Sequence, residues 1–151
     1  ARRCPATSVA AFVPMPDEPG DIGVLDALAA GRRVILPVIG ELRSPLQWGE
    51  YAGADTLLPG PFGVRQPAAD PALSLEQVEV VLVPALAVTT EGARLGQGGG
   101  FYDRSLVDVP RARLVAVVHD DEIVAELPVG AHDVRVGAIA SPAGLRRVRG
   151  A

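Results

Sequence analysis

A single cysteine in 151 residues leaves no partner for an internal disulfide. That thiol, Cys4, is read as an uninvolved terminal residue. The chain also lacks a secretory apolar segment, and with one thiol this points to the cytoplasm. No apolar run approaches the roughly 18–20 residues of a membrane-crossing helix, so no membrane partner is expected. An excess of positive charge is missing too. The formal net charge is -4, which argues against nucleic acid as a partner and requires any bound anion to be held by a local site. Aromatic residues make up only 4% of the chain, so few rings are candidates to stack on a planar ligand: Phe12, Trp48, Phe62, Phe101 and Tyr102.

What is present is apolar and rich in turn formers. The chain is 48% hydrophobic, enough to bury a core, and carries 17 glycines and 14 prolines. Residues 7–15 read as a buried strand. Ile22, Leu25, Leu28 and Ala29 recur at helical spacing and stop before Gly31. "RRVILPV" is a second buried strand, so 7–38 forms a strand–helix–strand unit with a parallel pair. Residues 39–58 suggest a hairpin of "LQWGEY" and "DTLL", and the proline-rich 59–74 a loop or extended arm. "VEVVLVPAL" and "RLVAVVHD" are further buried strands, and "EIVAEL" and "VRVGAIA" short ones. "TTEGARLGQGGG" is expected to be a loop, and "FYDRSL" to start a helix. The order implies one three-layer α/β/α domain over 1–151 with a mainly parallel sheet.

The chemistry concentrates in "ARLGQGGGFYDRSL", residues 93–106. Gly96, Gly98, Gly99 and Gly100 free the backbone to turn its N–H groups into one concavity, a nest for an anion. A helix starting near Phe101 adds its positive end. Arg94 and Arg104 can fork onto phosphate oxygens. Asp103 is misplaced beside bare phosphate but suits phosphate with Mg2+. The alternative is a tight loop with a solvated ion pair at Asp103. The pattern is neither GxxxxGK[ST], whose lysine is absent, nor the dinucleotide GxGxxG, because no acidic residue ends a following strand at the right distance.

The block "VLVPALAV", "EGARLG", "GGG" and "FYDR" resembles the 5-formyltetrahydrofolate cyclo-ligase family. "FVPMPDEPGD", "GRRVILPV", "GPFGVRQP" and "LPVGAHDVRV" resemble other family segments in the same order, so the resemblance spans about residues 7–140. It implies a fold related to the ribose-phosphate isomerase and CoA-transferase group. It also implies conversion of 5-formyltetrahydrofolate to 5,10-methenyltetrahydrofolate, with ATP consumed, Mg2+ as cofactor, and ADP and phosphate released. By the same resemblance, Arg94, Leu95, Gly96, Gln97, Gly98, Gly99, Gly100, Phe101 and Tyr102 line ATP, with Arg94, Tyr102 and Arg104 closest to the chemistry. Asp103 and Asp133 match the metal ligands. Val13 and Glu18 match folate contacts, joined by Gln97, Gly98, Gly99, Gly100 and Phe101, with Trp48 and Phe62 as ring candidates.

Other roles remain open for several of these residues. Glu18 can instead be an acid at a helix start, and Trp48 plain core. His119 reads as a strand-end residue, His132 as a residue orienting Asp133, and Arg146, Arg147 and Arg149 as a solvated end. Gln66, Val38 and Gly137 depart from the family pattern. The chain opens "ARRCPATS", and the family's basic N-terminal helix is expected to be missing from it. A second reading is therefore a non-catalytic folate- or nucleotide-binding homologue. A third, a sugar-phosphate or CoA-ester enzyme, lacks a clear acid–base set beyond Glu18. A monomer or weak dimer is expected.

Overall fold

The valine-rich runs become the centre of a sheet because each presents apolar side chains to both faces. The computed structural model describes residues 7–40, 44–96, 100–128 and 134–148. In chain order the strands are β1 (Ser8–Ala10), β2 (Arg33–Val38), β3 (Gln47–Glu50), β4 (Leu58–Pro59), β5 (Arg65–Gln66), β6 (Val80–Pro84), β7 (Ala87–Thr89), β8 (Arg94–Leu95), β9 (Leu114–Val117), β10 (Ile123–Val124), β11 (Ala138–Ser141) and β12 (Gly144–Arg147). Two α-helices, α1 (Ile22–Ala29) and α2 (Phe101–Leu106), lie among them, with five short 3-10 turns.

The main sheet runs β12-β11-β9-β6-β1-β2-β3. Its five inner strands are parallel, with Ser8 opposite Arg33, Val9 opposite Val80, Val81 opposite Leu114 and Val115 opposite Ala138. The outer strands β3 and β12 run antiparallel to their neighbours. Along β2, Val34 and Leu36 join a core with Leu25 of α1, whereas Ile35 joins a larger core with Leu106 of α2. Along β6, Val81 and Val83 face the larger core and Leu82 the smaller. The sheet is thus packed on both faces, with few and short helices.

The strand–helix–strand unit over 7–38 is present. Asp21 starts α1 by accepting the Gly23 amide at 2.9 Å, and Leu25, 1% exposed, anchors it. Tyr51 Oη donates to Asp26 at 2.7 Å and ties the end of β3 to the same helix. The hairpin expected over 39–58 does not form. "LQWGE" pairs instead with β2, Trp48 opposite Pro37, because β2 is buried on both faces and takes a neighbour on each side. Leu58–Pro59 pairs with Arg65–Gln66 inside the stretch expected to be a loop. The segment after β6 is also more ordered than expected: β7 and β8 form an antiparallel hairpin, and β10 joins β7 in parallel.

This hairpin is bound to the body of the domain through Arg111. Its Nε donates to the Val136 carbonyl at 2.9 Å and its Nη2 to the Glu91 carbonyl at 2.6 Å, while the Val136 amide reaches the Gly92 carbonyl at 2.9 Å. Gly137 lies so close that a Cβ there would meet the Arg111 carbonyl oxygen at 2.3 Å. Gly137→Ala is expected to destabilise the fold by about 1–3 kcal/mol in urea unfolding, as overpacking against backbone does. An unchanged midpoint would contradict this contact.

Candidate functional site

Three adjacent parallel strands, β6, β1 and β2, end at one cleft of about 500 Å³. Ligands of open α/β sheets bind outside such carboxyl ends. Phe12 and Val13 follow β1, Leu36 and Pro37 belong to β2, and Pro84 ends β6. One wall is β8 and the start of α2: Arg94, Leu95, Gly96 and Gly100 to Arg104. The other includes Val64 and Arg65. Gln97, Gly98, Gly99 and Asp133 lie outside the described residues, as do Cys4, His132 and Arg149.

Arg94 organises the cationic wall. It is 7% exposed, its Nε donates to the Pro84 carbonyl at 3.1 Å, and its Nη1 lies 3.4 Å from Asp103 Oδ1. Its guanidinium also stands over the Tyr102 ring, 5.9 Å from the centroid. A buried guanidinium needs such partners, because an unpaired charge in the interior is costly. Asp103 Oδ1 further accepts the Val134 amide at 3.2 Å, which brings the chain just after position 133 to α2. Gly100, at φ 68°, makes the left-handed turn from which α2 starts, and Arg104 folds back over the Phe101 ring at 5.3 Å.

Tyr102 carries the most unusual group. Its hydroxyl is buried without a hydrogen-bond partner among the described residues. Burial pushes its ionisation well above the ordinary phenol range; Arg94 opposes this and Glu18 adds to it.

Glu18 is half-buried in the cleft and accepts the Met15 amide at 2.7 Å. It is not the acid that starts α1; Asp21 fills that place. Burial raises the Glu18 pKa, the Met15 amide counteracts this, and Asp17 and Glu122 raise it further. His119 fastens the Glu18 turn from the end of β9. Its Nε2 lies 2.9 Å from the Asp17 carbonyl, an acceptor, so the ring donates there. Its backbone amide donates to Glu122 at 2.7 Å, consistent with a strand-end role.

The structure therefore brings Val13, Glu18, Arg94, Leu95, Gly96, Gly100, Phe101, Tyr102, Asp103 and Arg104 to one place. It does not bring Trp48, which is 5% exposed in the larger core and faces a separate groove. The core alternative describes it, because β3 closes the sheet edge there. Phe62 is 73% exposed at φ 60° and stands outside the cleft lining, although Val64 and Arg65 of the same loop reach it. Sequence reasoning missed Arg65 and the Pro84 carbonyl. The glycine loop drew attention to one wall only, and a backbone acceptor has no signature in side-chain pattern.

A profile of the 5-formyltetrahydrofolate cyclo-ligase family matches residues 4–142. The chain belongs to the 5-formyltetrahydrofolate cyclo-ligase family. The 5-formyltetrahydrofolate cyclo-ligase of Mycolicibacterium smegmatis is 45% identical over 143 residues, covering 89% of this chain and 73% of that one. The corresponding Escherichia coli K12 protein is 32% identical over 143 residues, covering 91% and 79%. Among solved structures, the 5,10-methenyltetrahydrofolate synthetase of Aquifex aeolicus superposes with a TM-score of 0.80 at 27% identity, over 97% of this chain and 74% of that one. These cyclo-ligase relatives place the chain in a family of ligases.

Because the Tyr102 hydroxyl has no partner among the described residues, Tyr102→Phe should leave the protein as stable as before or stabilise it by about 1 kcal/mol. Urea unfolding checks this, and a loss of more than about 1 kcal/mol would show that the hydroxyl is paired.

Proposed function

We propose that this chain converts 5-formyltetrahydrofolate to 5,10-methenyltetrahydrofolate, with ATP cleaved to ADP and phosphate. The observation that carries the reading is the cleft itself, where a buried arginine, a left-handed glycine at a helix start and an aspartate share one lining with a separate carboxylate. In this reading Arg94, Leu95, Gly96 and Gly100, with Gln97, Gly98 and Gly99 between them, cradle the ATP phosphates, and Arg104 reaches them from α2. Phosphoryl transfer is catalysed chiefly by such positioning and charge stabilisation, so no protein nucleophile is required. Phe101 and Tyr102 line the junction of the two substrates. The reading also extends the likeness of fold to the ribose-phosphate isomerase and CoA-transferase group.

Glu18 and Val13 hold the pterin. A carboxylate suits the amino and ring N–H donors of that heterocycle. Among the described residues no cluster of three metal-ligating side chains occurs. Asp103 nonetheless fits Mg2+, which takes one or two carboxylates and completes its shell with phosphate and water. Its Oδ1 accepts from Arg94 and Val134, and Oδ2 makes no hydrogen bond to a described residue. Asp133, next to Val134 in the chain, is the second ligand in this reading. When bound, Mg2+ offsets charge on the phosphates. The formyl oxygen attacks the γ-phosphorus and ADP leaves; N10 then adds to the activated carbon, which closes the five-membered ring, and the N10 proton is lost as phosphate departs.

Three outcomes test the reading. Absorbance in the methenyl-folate band should grow when protein, 5-formyltetrahydrofolate, Mg2+ and ATP are mixed, and should not grow without ATP. Binding of both substrates with no growth would favour the non-catalytic homologue. Asp103→Asn keeps an oxygen acceptor for Val134 yet should lower kcat by about 100-fold or more with folate binding retained. Full turnover would sink the metal assignment.

Glu18 supplies a pH signature. Its pKa is raised in the fold, so its ionisation costs stability that is recovered as pH falls through the raised value. The KM for folate should therefore climb on acidification at a pH above the ordinary glutamate range. Glu18→Gln should remove that limb and raise KM about tenfold at neutral pH, without loss of thermal stability. A KM profile identical to the unmodified protein would contradict the pterin role.

A further inference from the structure

The cleft has a second cationic end that the proposed chemistry does not use. Arg65, on β5, lines it from the wall opposite Arg94 and Arg104. Its neighbour Gln66 accepts the Ile39 amide at 3.0 Å, which fastens β5 to the end of β2. Arg94 is bonded to the end of β6, and β6 and β2 are separated by β1. Two strand spacings set their anchor points on β6 and β2 roughly 10 Å apart. Between them lies an apolar floor of Phe12, Val13, Leu36 and Pro37. One ligand charge at each end, with a largely apolar body between, would match this layout.

Arg65 is also prepared for an anion. Its Nη2 donates to the Ala54 carbonyl, which fixes the guanidinium and leaves further N–H donors with no partner among the described residues. The residue is exposed, and among the described residues no carboxylate forms an ion pair with it. Arg94, by contrast, is buried and already engaged with Asp103. An exposed, anchored guanidinium in the cleft lining that forms no ion pair with a described carboxylate suits the carboxylate of a long ligand whose tail extends toward solvent.

We infer that Arg65 binds a carboxylate of the glutamate tail of the folate substrate and so sets selectivity for the glutamylated form. This rests on the folate cyclo-ligase reading above. The phosphate end belongs to Arg94 and Arg104, and the apolar floor carries the ring system between the two ends. Arg65 is thus a specificity residue and takes no part in the bond changes.

The test compares 5-formyltetrahydrofolate with 5-formyltetrahydropteroate, which lacks the glutamate, on the unmodified protein and on Arg65→Gln and Arg65→Lys. Equilibrium Kd values are measured beside kcat and KM. The unmodified protein should prefer the glutamylated ligand, and Arg65→Gln should reduce that preference roughly fivefold, the scale of one exposed ion pair. The loss should fall on KM and Kd, with kcat and the KM for ATP unchanged. Arg65→Lys should keep part of the preference. The ratio between two ligands is insensitive to the folded fraction, so a poorly folding variant still gives an answer. An unaltered preference in Arg65→Gln, or an equal loss for both ligands, would overturn the assignment. Absence of methenyl product with the unmodified protein would instead count against the cyclo-ligase reading, and the Kd comparison would still decide the role of Arg65.

Discussion

The site depends on one buried guanidinium. Arg94 is 7% exposed, is bonded to the Pro84 carbonyl, lies beside Asp103 and covers the Tyr102 ring. Those contacts link the end of a central strand, a hairpin and the first turn of α2 in one arrangement. The cleft wall and the local fold are therefore held by the same contacts. The hairpin that carries Arg94 is held in turn by Arg111, whose two bonds reach Val136 and Glu91.

The opposite wall obeys a different constraint. Glu18 is kept in the cleft against its own solvation preference by the Met15 amide and by a turn that His119 fastens. A raised carboxyl pKa and a Tyr102 hydroxyl without a partner among the described residues are both unfavourable. Functional sites commonly hold groups in this condition, since a ligand can then satisfy them. The cleft therefore has a cationic wall, an apolar floor and an acid.

Much of this was legible in the sequence where local pattern decides structure. Helical spacing at Ile22, Leu25 and Leu28 and the apolar run "RVILPV" gave the first parallel unit. The glycine loop with Arg94, Asp103 and Arg104 marked one wall. What was not legible depends on long-range pairing. "LQWGEY" carries no sign that it closes a sheet edge against β2, so Trp48 was available as a ligand ring until the core claimed it. The β7–β8 hairpin was hidden because its second strand is two residues long, although "AVTTEGARL" holds a turn-forming Glu-Gly between short strand-like runs. Arg65 was hidden for a related reason: only the pairing of β5 with β4 and its bond to β2 bring that proline-rich arm back to the cleft.

The central claim is that this cleft couples ATP cleavage to closure of the folate ring through the formyl oxygen. The most direct measurement is the fate of that oxygen. With oxygen-18 in the formyl group of 5-formyltetrahydrofolate, the account predicts that the inorganic phosphate released in turnover carries the label in step with methenyl formation. Unlabelled phosphate released at the same rate as the methenyl product would contradict it.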